Sequence, residues 1–142
     1  MFRRIDNSLS VSPQITPAQV AAAAAAGVRV IINNRPDGEE PGQPDGAEIA
    51  AAAAAAGIAY VAIPVTHAGF SANQLDEMNA ALDAATGPVL AYCRSGTRST
   101  YLWALAQAQR GAAPDVLAGK AGDAGFDLGS IRPMLDSLSA RA

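Results

Sequence analysis

Two alanine runs, Ala21–Ala26 and Ala50–Ala56, constrain this chain more than any other feature. Each stops at a glycine, Gly27 or Gly57, and each leads directly into a stretch rich in valine and isoleucine. Alanine has the highest helix propensity, and glycine readily adopts the left-handed conformation that ends a helix. Alanines, a glycine and then β-branched residues therefore read as a helix delivering the chain into a strand. Two such units in succession imply parallel strands, because a helix must carry the chain back across the sheet. The period is not sustained, so these are successive α/β units rather than a repeat array.

The remaining punctuation extends the same pattern. Strands are predicted over Phe2–Ile5 and Leu9–Ser12, joined by the turn Asp6-Asn7-Ser8. Thr16 with Gln19, Asp45 with Glu48 and Ser71 with Gln74 have the spacing of capping boxes. They open three helices: the first alanine run, Ala47–Ala56, and a segment reaching about Ala85. Val28–Asn33 reads as a strand buried on both faces, Ile58–Pro64 and Val89–Tyr92 as further strands, and Asn34–Pro44 as a surface loop. Helices are predicted over Ser99–Gln109, Asp115–Ala124 and Ser130–Ser139. The expected fold is one α/β domain over residues 1–142, with a central, mainly parallel sheet flanked by helices. Ligands of such sheets sit at the carboxyl ends of the strands.

Composition removes several functions. Half of the 142 residues are apolar, but alanine is about a quarter of the chain, so the core has less bulk than that fraction suggests. A net charge of −3 and a pI of about 4.9 argue against nucleic acid, which needs a basic face. No apolar run suits a membrane span, and the first ten residues do not resemble a secretory signal. One cysteine, Cys93, excludes an internal disulfide, and one histidine, His67, leaves no ordinary zinc site. A cytoplasmic protein without metal or cofactor is expected.

The chemistry is predicted at Cys93-Arg94-Ser95-Gly96-Thr97-Arg98-Ser99, between the Val89–Tyr92 strand and the next helix. Loop N–H groups turned inward, a helix N-terminus and two arginines together attract an anion. A cysteine at the mouth of that ring is an accessible nucleophile with a stabilised thiolate. Gly96 permits the turn, and Arg98 holds an oxyanion through two parallel hydrogen bonds. Ser99 is placed to hydrogen-bond the sulfur, whereas Arg94 is expected to point outward. Of the other candidates, Asp37, Glu39 and Glu40 match no calcium loop and read as a solvated acidic loop. Asp76 and Asp83 read as helix surface charges. Arg35 ends a strand parallel to that of Cys93 and is placed to face the same pocket.

CRSGTRS resembles the active-site loop that rhodanese-type sulfurtransferases and cysteine-dependent phosphatases share in two lengths. LSVSPQITP, IINNRPDGEEPGQP, YVAIPV, GPVLAYCRSGTRS and AGFDLGSIRPML extend the similarity along the chain. They resemble the phosphatase-like domain family of beta-lactamase-hydrolase-like proteins, which is also labelled a sulfur transferase family. The resemblance implies a fold of dual-specificity-phosphatase type. It also implies a link to persulfide oxidation, because relatives are fused to a metallo-β-lactamase-type domain with that activity.

Loop length divides the two chemistries. Four residues separate Cys93 from Arg98, one fewer than in protein-phosphatase loops. Tyr92 stands where the phosphatase pattern has histidine, and Val65–Ser71 offers no carboxylate as general acid, only His67. The sequence therefore favours sulfur transfer. In that reaction Cys93 takes sulfur from thiosulfate or a small persulfide and passes it to an external thiol or cyanide. The partners expected are small molecules and a persulfide-oxidising enzyme. A phosphatase working through phosphocysteine is the alternative, and an anion-binding or redox-sensing module the non-enzymatic one.

Overall fold

Both alanine runs are helical, and both end in the same hydrogen-bonded motif. The computed structural model describes residues 2–142. Helices α1 (Pro17–Ala25) and α2 (Gly46–Ala55) close with Gly27 and Gly57 at φ of 96° and 75°. The N–H of Val28 then reaches Ala23 O at 3.0 Å, and that of Ile58 reaches Ala53 O at 2.9 Å. These are Schellman bonds, which satisfy helix carbonyls that would otherwise lack partners. They also hold Val28 and Ile58 out of the sheet, so the strands start later than predicted. β3 is Val30–Asn33 and β4 is Ala59–Ala62.

With β1 (Arg3–Arg4), β2 (Leu9–Ser12) and β5 (Val89–Tyr92), these form a sheet of order β1-β2-β5-β3-β4. Only β1–β2 is antiparallel. The register brings Ser12, Tyr92, Asn33 and Ala62 level across the four parallel strands. Backbone bonds continue past the strand ends, from Cys93 N–H to Ser12 O at 3.3 Å and from Asn34 N–H to Tyr92 O at 2.8 Å. The loops leaving β3, β4 and β5 therefore start from one edge.

Every residue of β5 is buried, as a central strand covered on both faces requires. Val89 and Ala91 face the larger core with α3 (Ala72–Ala84), α4 (Thr97–Gln109), α5 (Pro114–Asp123) and α6 (Arg132–Ala140). Leu90 and Tyr92 face a smaller core with Val20 and Ala23 of α1 and Ile49 and Ala53 of α2. Helix α4 is buried through most of its length, from Ser99 to Ala108. It packs between α3, α5 and α6. No helix among the described residues is long and apolar enough to cross a membrane.

The Thr16/Gln19 and Ser71/Gln74 capping boxes form as predicted. The Asp45/Glu48 box does not, because the Asp45 side chain makes no capping bond. Asp37 Oδ1 instead accepts the N–H of Gly46 at 2.8 Å, so the helix is capped from nine residues upstream. Helix α4 begins at Thr97 rather than Ser99, and a 3-10 turn at Gly129–Ile131 takes up the predicted start of α6. Asp37→Ala should therefore lower stability by about 1 kcal/mol, whereas Asp45→Ala should have little effect. Urea denaturation midpoints of the two variants check this, and the reverse order would show that Asp45 is the working cap.

Candidate active site

The β5 strand ends at Tyr92, Cys93 follows it directly, and α4 starts at Thr97, so little chain is left for the turn. Gly96 makes it possible at φ 90°, a conformation that disfavours any side chain. A Cβ there would also stand 3.2 Å from Cζ of Phe126. The Gly96 N–H points back to the Cys93 sulfur at 3.1 Å. Gly96 O in turn accepts the Thr100 N–H at 3.0 Å and the Thr100 hydroxyl at 2.8 Å, which fixes the junction. The sulfur thus lies against the positive end of α4. One expectation needs correction: Cys93 is 0% exposed, because the loop and the sheet ends close over it.

Arg98, in the first turn of α4, is held by three bonds. Nη1 donates to Glu39 Oε2 and to Val65 O, each at 2.7 Å, and Nη2 donates to Glu39 Oε1 at 2.8 Å. A guanidinium has five N–H donors. The end-on edge is taken by the carboxylate, and the outer Nη1 proton by Val65. The side-on edge, Nε with the other Nη2 proton, gives no hydrogen bond to a protein oxygen among the described residues. The Glu39 pair pushes the Arg98 guanidinium up in pKa, and the nearby Cys93 sulfur adds to the rise. A fork fixed by a carboxylate and held beside the thiol sulfur suits an oxyanion formed there.

Glu39 also accepts from Nε of Arg35 at 2.9 Å, while Nη2 of Arg35 reaches Glu40 at 2.9 Å. The Arg35 side chain is only 1% exposed. Burial opposes its charge, but the hydrogen bonds to Glu39 and Glu40 outweigh that and raise its pKa. Glu39 itself is lowered to about 2, first by its hydrogen bonds with Arg98. The acidic loop is therefore structural at Glu39 rather than solvated as expected. Arg35 connects to the anion site through Glu39, which bonds Arg98, and through Glu40, which lies beside Arg94.

The other predicted residues separate into two groups. Arg94, Ser95 and Arg98 line an open cavity of about 510 Å³ with Glu39 and His67. Arg94 points outward at 69% side-chain exposure, 3.7 Å from Glu40. Ser95 and Thr97 bond to each other at 3.0 Å. Ser99 departs from its expected role, since its hydroxyl donates to Asn34 Oδ1 at 2.7 Å instead of to the sulfur. Asn34 Nδ2 continues to Ile63 O at 2.8 Å, so Ser99 locks α4 to the ends of β3 and β4. Tyr92 packs with α1 and α2 on the other face of the sheet, and burial pushes its hydroxyl well above the ordinary value. Asp76 and Asp83 pair with Gln109 and Arg110, at the opposite end of α4 from Cys93.

A central parallel strand leading into a cysteine, a tight loop and an arginine in the first turn of the next helix define a cysteine-based, phosphatase-like α/β domain. The solved structure of Tk-PTP shares that fold, with a TM-score of 0.75 at 17% identity over 99% of this chain and 97% of its own. The chain belongs to the family described as beta-lactamase hydrolase-like protein, phosphatase-like domain, which matches residues 1–110. A beta-lactamase hydrolase-like protein of Agrobacterium fabrum is 39% identical over 76% of this chain and 25% of its own length. One from Xylella fastidiosa is 38% identical over 88% of this chain and 29% of its own. The chain thus spans about a quarter of these curated relatives. The crystal structure of a candidate phosphatase from Neisseria meningitidis matches with a TM-score of 0.86 and 36% identity, covering 96% of this chain and 97% of that one. The family description says phosphatase-like and the Neisseria structure is described as a candidate phosphatase, which agrees with the phosphatase alternative better than with the sulfur transfer that the sequence favoured.

A carboxylate lowered from 4.5 to about 2 contributes stability above its unfolded value and loses it as pH falls through about 2. Glu39→Gln should therefore be less stable than the parent at neutral pH. The difference should shrink between about pH 4.5 and pH 2. Parallel urea titrations across that range check it, and a pH-independent gap would show that the ion pair is not its source.

Proposed function

We propose that this domain is a cysteine-dependent phosphatase for phosphate monoesters. The observation that carries the reading is the Arg98 fork, fixed by Glu39 and lying within hydrogen-bonding reach of the Cys93 sulfur. The Cys93 thiolate attacks phosphorus, the bond to the leaving oxygen breaks, and a phosphocysteine forms. Arg98 and loop N–H groups hold the phosphoryl oxygens. Water then attacks phosphorus, releasing phosphate and restoring the thiolate. The leaving oxygen needs a proton, and Glu39, ionised down to about pH 2, cannot supply it at neutral pH. His67, on the same cavity, is the proton donor in this scheme.

Sulfur transfer stands as a second reading because two observations favour it: the four-residue interval from Cys93 to Arg98, and the ionised state of Glu39. In that route the thiolate attacks the outer sulfur of thiosulfate or a persulfide, sulfite or thiol departs, and an external thiol takes the sulfur from Cys93. No proton donor of the phosphatase kind is needed.

One experiment separates the two. The protein is given p-nitrophenyl phosphate or an alkyl phosphate, and separately thiosulfate or a small persulfide, with mass spectrometry of Cys93. Phosphate release that disappears in Cys93→Ser is expected. Arg98→Lys should fall by about 10²-fold or more, because a point charge does not replace a planar fork. His67→Ala should slow alkyl phosphates by about 10²–10⁴-fold and p-nitrophenyl phosphate far less, since nitrophenolate departs without a proton. A persulfide on Cys93 with no phosphate release would establish the second reading.

A further inference from the structure

The anion cavity does not end at the arginines. A second cavity of about 490 Å³ adjoins it, and Pro36 and Thr66 belong to the walls of both. It lies between α2 and the edge strand β4, with Ala47 and Ala50 on one side and Ala62 on the other. Its floor is the half-buried Tyr60, whose hydroxyl accepts Asn33 Nδ2 at 3.0 Å. Gly46 leaves room for that hydroxyl, since a Cβ there would approach it to 2.9 Å. The charged groups on its rim are already engaged. Asp37 caps α2, and Arg35 is paired with Glu39 and Glu40. What remains is a small-residue trough with a fixed aromatic floor, within the volume range of small-molecule sites.

We propose that the substrate carries its anion on an apolar body about the size of one or two rings, which lies in this trough while the anion occupies the Arg98 side. A free inorganic anion would leave the trough empty. This inference rests on the reading of Cys93 and Arg98 as the anion site. It holds for a phosphate ester or an organic persulfide, since it concerns the body and not the reacting bond. Alanine at Ala47, Ala50 and Ala62 leaves the space open, and a longer side chain on exposed or half-buried helix positions fills it without disturbing the core.

The test follows alkylation of Cys93 by iodoacetamide, which requires no turnover. Protection is measured with inorganic phosphate, methylphosphonate and naphthylphosphonate, in the parent protein and in Ala47→Gln and Ala50→Gln. In the parent, naphthylphosphonate should protect at roughly tenfold lower concentration than the other two, from the apolar area it buries. That advantage should disappear in both variants while protection by inorganic phosphate stays unchanged. Equal protection by all three anions would overturn the trough and leave the anion site standing. A naphthyl advantage that survives both variants would overturn its placement. No protection by any anion would overturn the anion site itself, and the trough with it.

Discussion

Glu39 sits between two guanidinium groups that the fold brings together from different elements. Arg35 leaves the end of β3, Arg98 opens α4, and one carboxylate takes hydrogen bonds from both. Arg35 at 1% exposure is a charge the interior tolerates only when paired. Removing Glu39 would leave Glu40 as the one remaining carboxylate on this buried cation. The same carboxylate fixes the plane of the Arg98 fork, so the stability of the β3 exit and the geometry of the anion site depend on one residue. That coupling explains how a loop with three prolines and two glycines, Asn34–Pro44, can be ordered enough to shape a site.

A second, uncharged brace supports the same junction. Ser99 on α4 bonds Asn34, and Asn34 bonds Ile63 O, so three chain segments at the sheet edge are tied by buried side-chain hydrogen bonds. Each of these groups would be costly if left unpaired. Together with Gly96 N–H on the sulfur, they leave Cys93 with a fixed position and no exposed surface.

What could be read from the sequence was local. The boxes at Thr16/Gln19 and Ser71/Gln74 were legible because donor and acceptor lie three residues apart. The Cys93–Arg98 spacing was legible because a strand, a glycine turn and a helix start follow one another within a few residues. The third box misled because Asp37 arrives from another part of the loop and takes the cap from Asp45. Glu39 was missed for the same reason on a larger scale, since it meets Arg98 across 59 positions of sequence. The one available signal was three acids following Arg35 at the end of a strand expected to be buried. Ser99 was placed correctly on the helix, but its partner Asn34 lies on another strand's exit and sequence spacing does not show it.

The Arg98–Glu39 pair also limits the chemistry. A carboxylate that holds a guanidinium well enough to fall to about 2 is fully ionised at neutral pH. It is thus an effective positioning group and an ineffective acid, and these two properties share one cause. A phosphatase built on this frame must obtain the leaving-group proton elsewhere or act on esters whose alcohol leaves without one. Sulfur transfer has no such requirement, because thiolate and sulfite are good leaving groups near neutrality. The fold and the braced Arg98 beside the sulfur favour phosphate, while the short loop and the ionised Glu39 favour sulfur. His67 therefore decides more than its exposed position suggests: with it as a proton donor the site works on ordinary phosphate esters, and without it the site is restricted to activated ones or to sulfane sulfur.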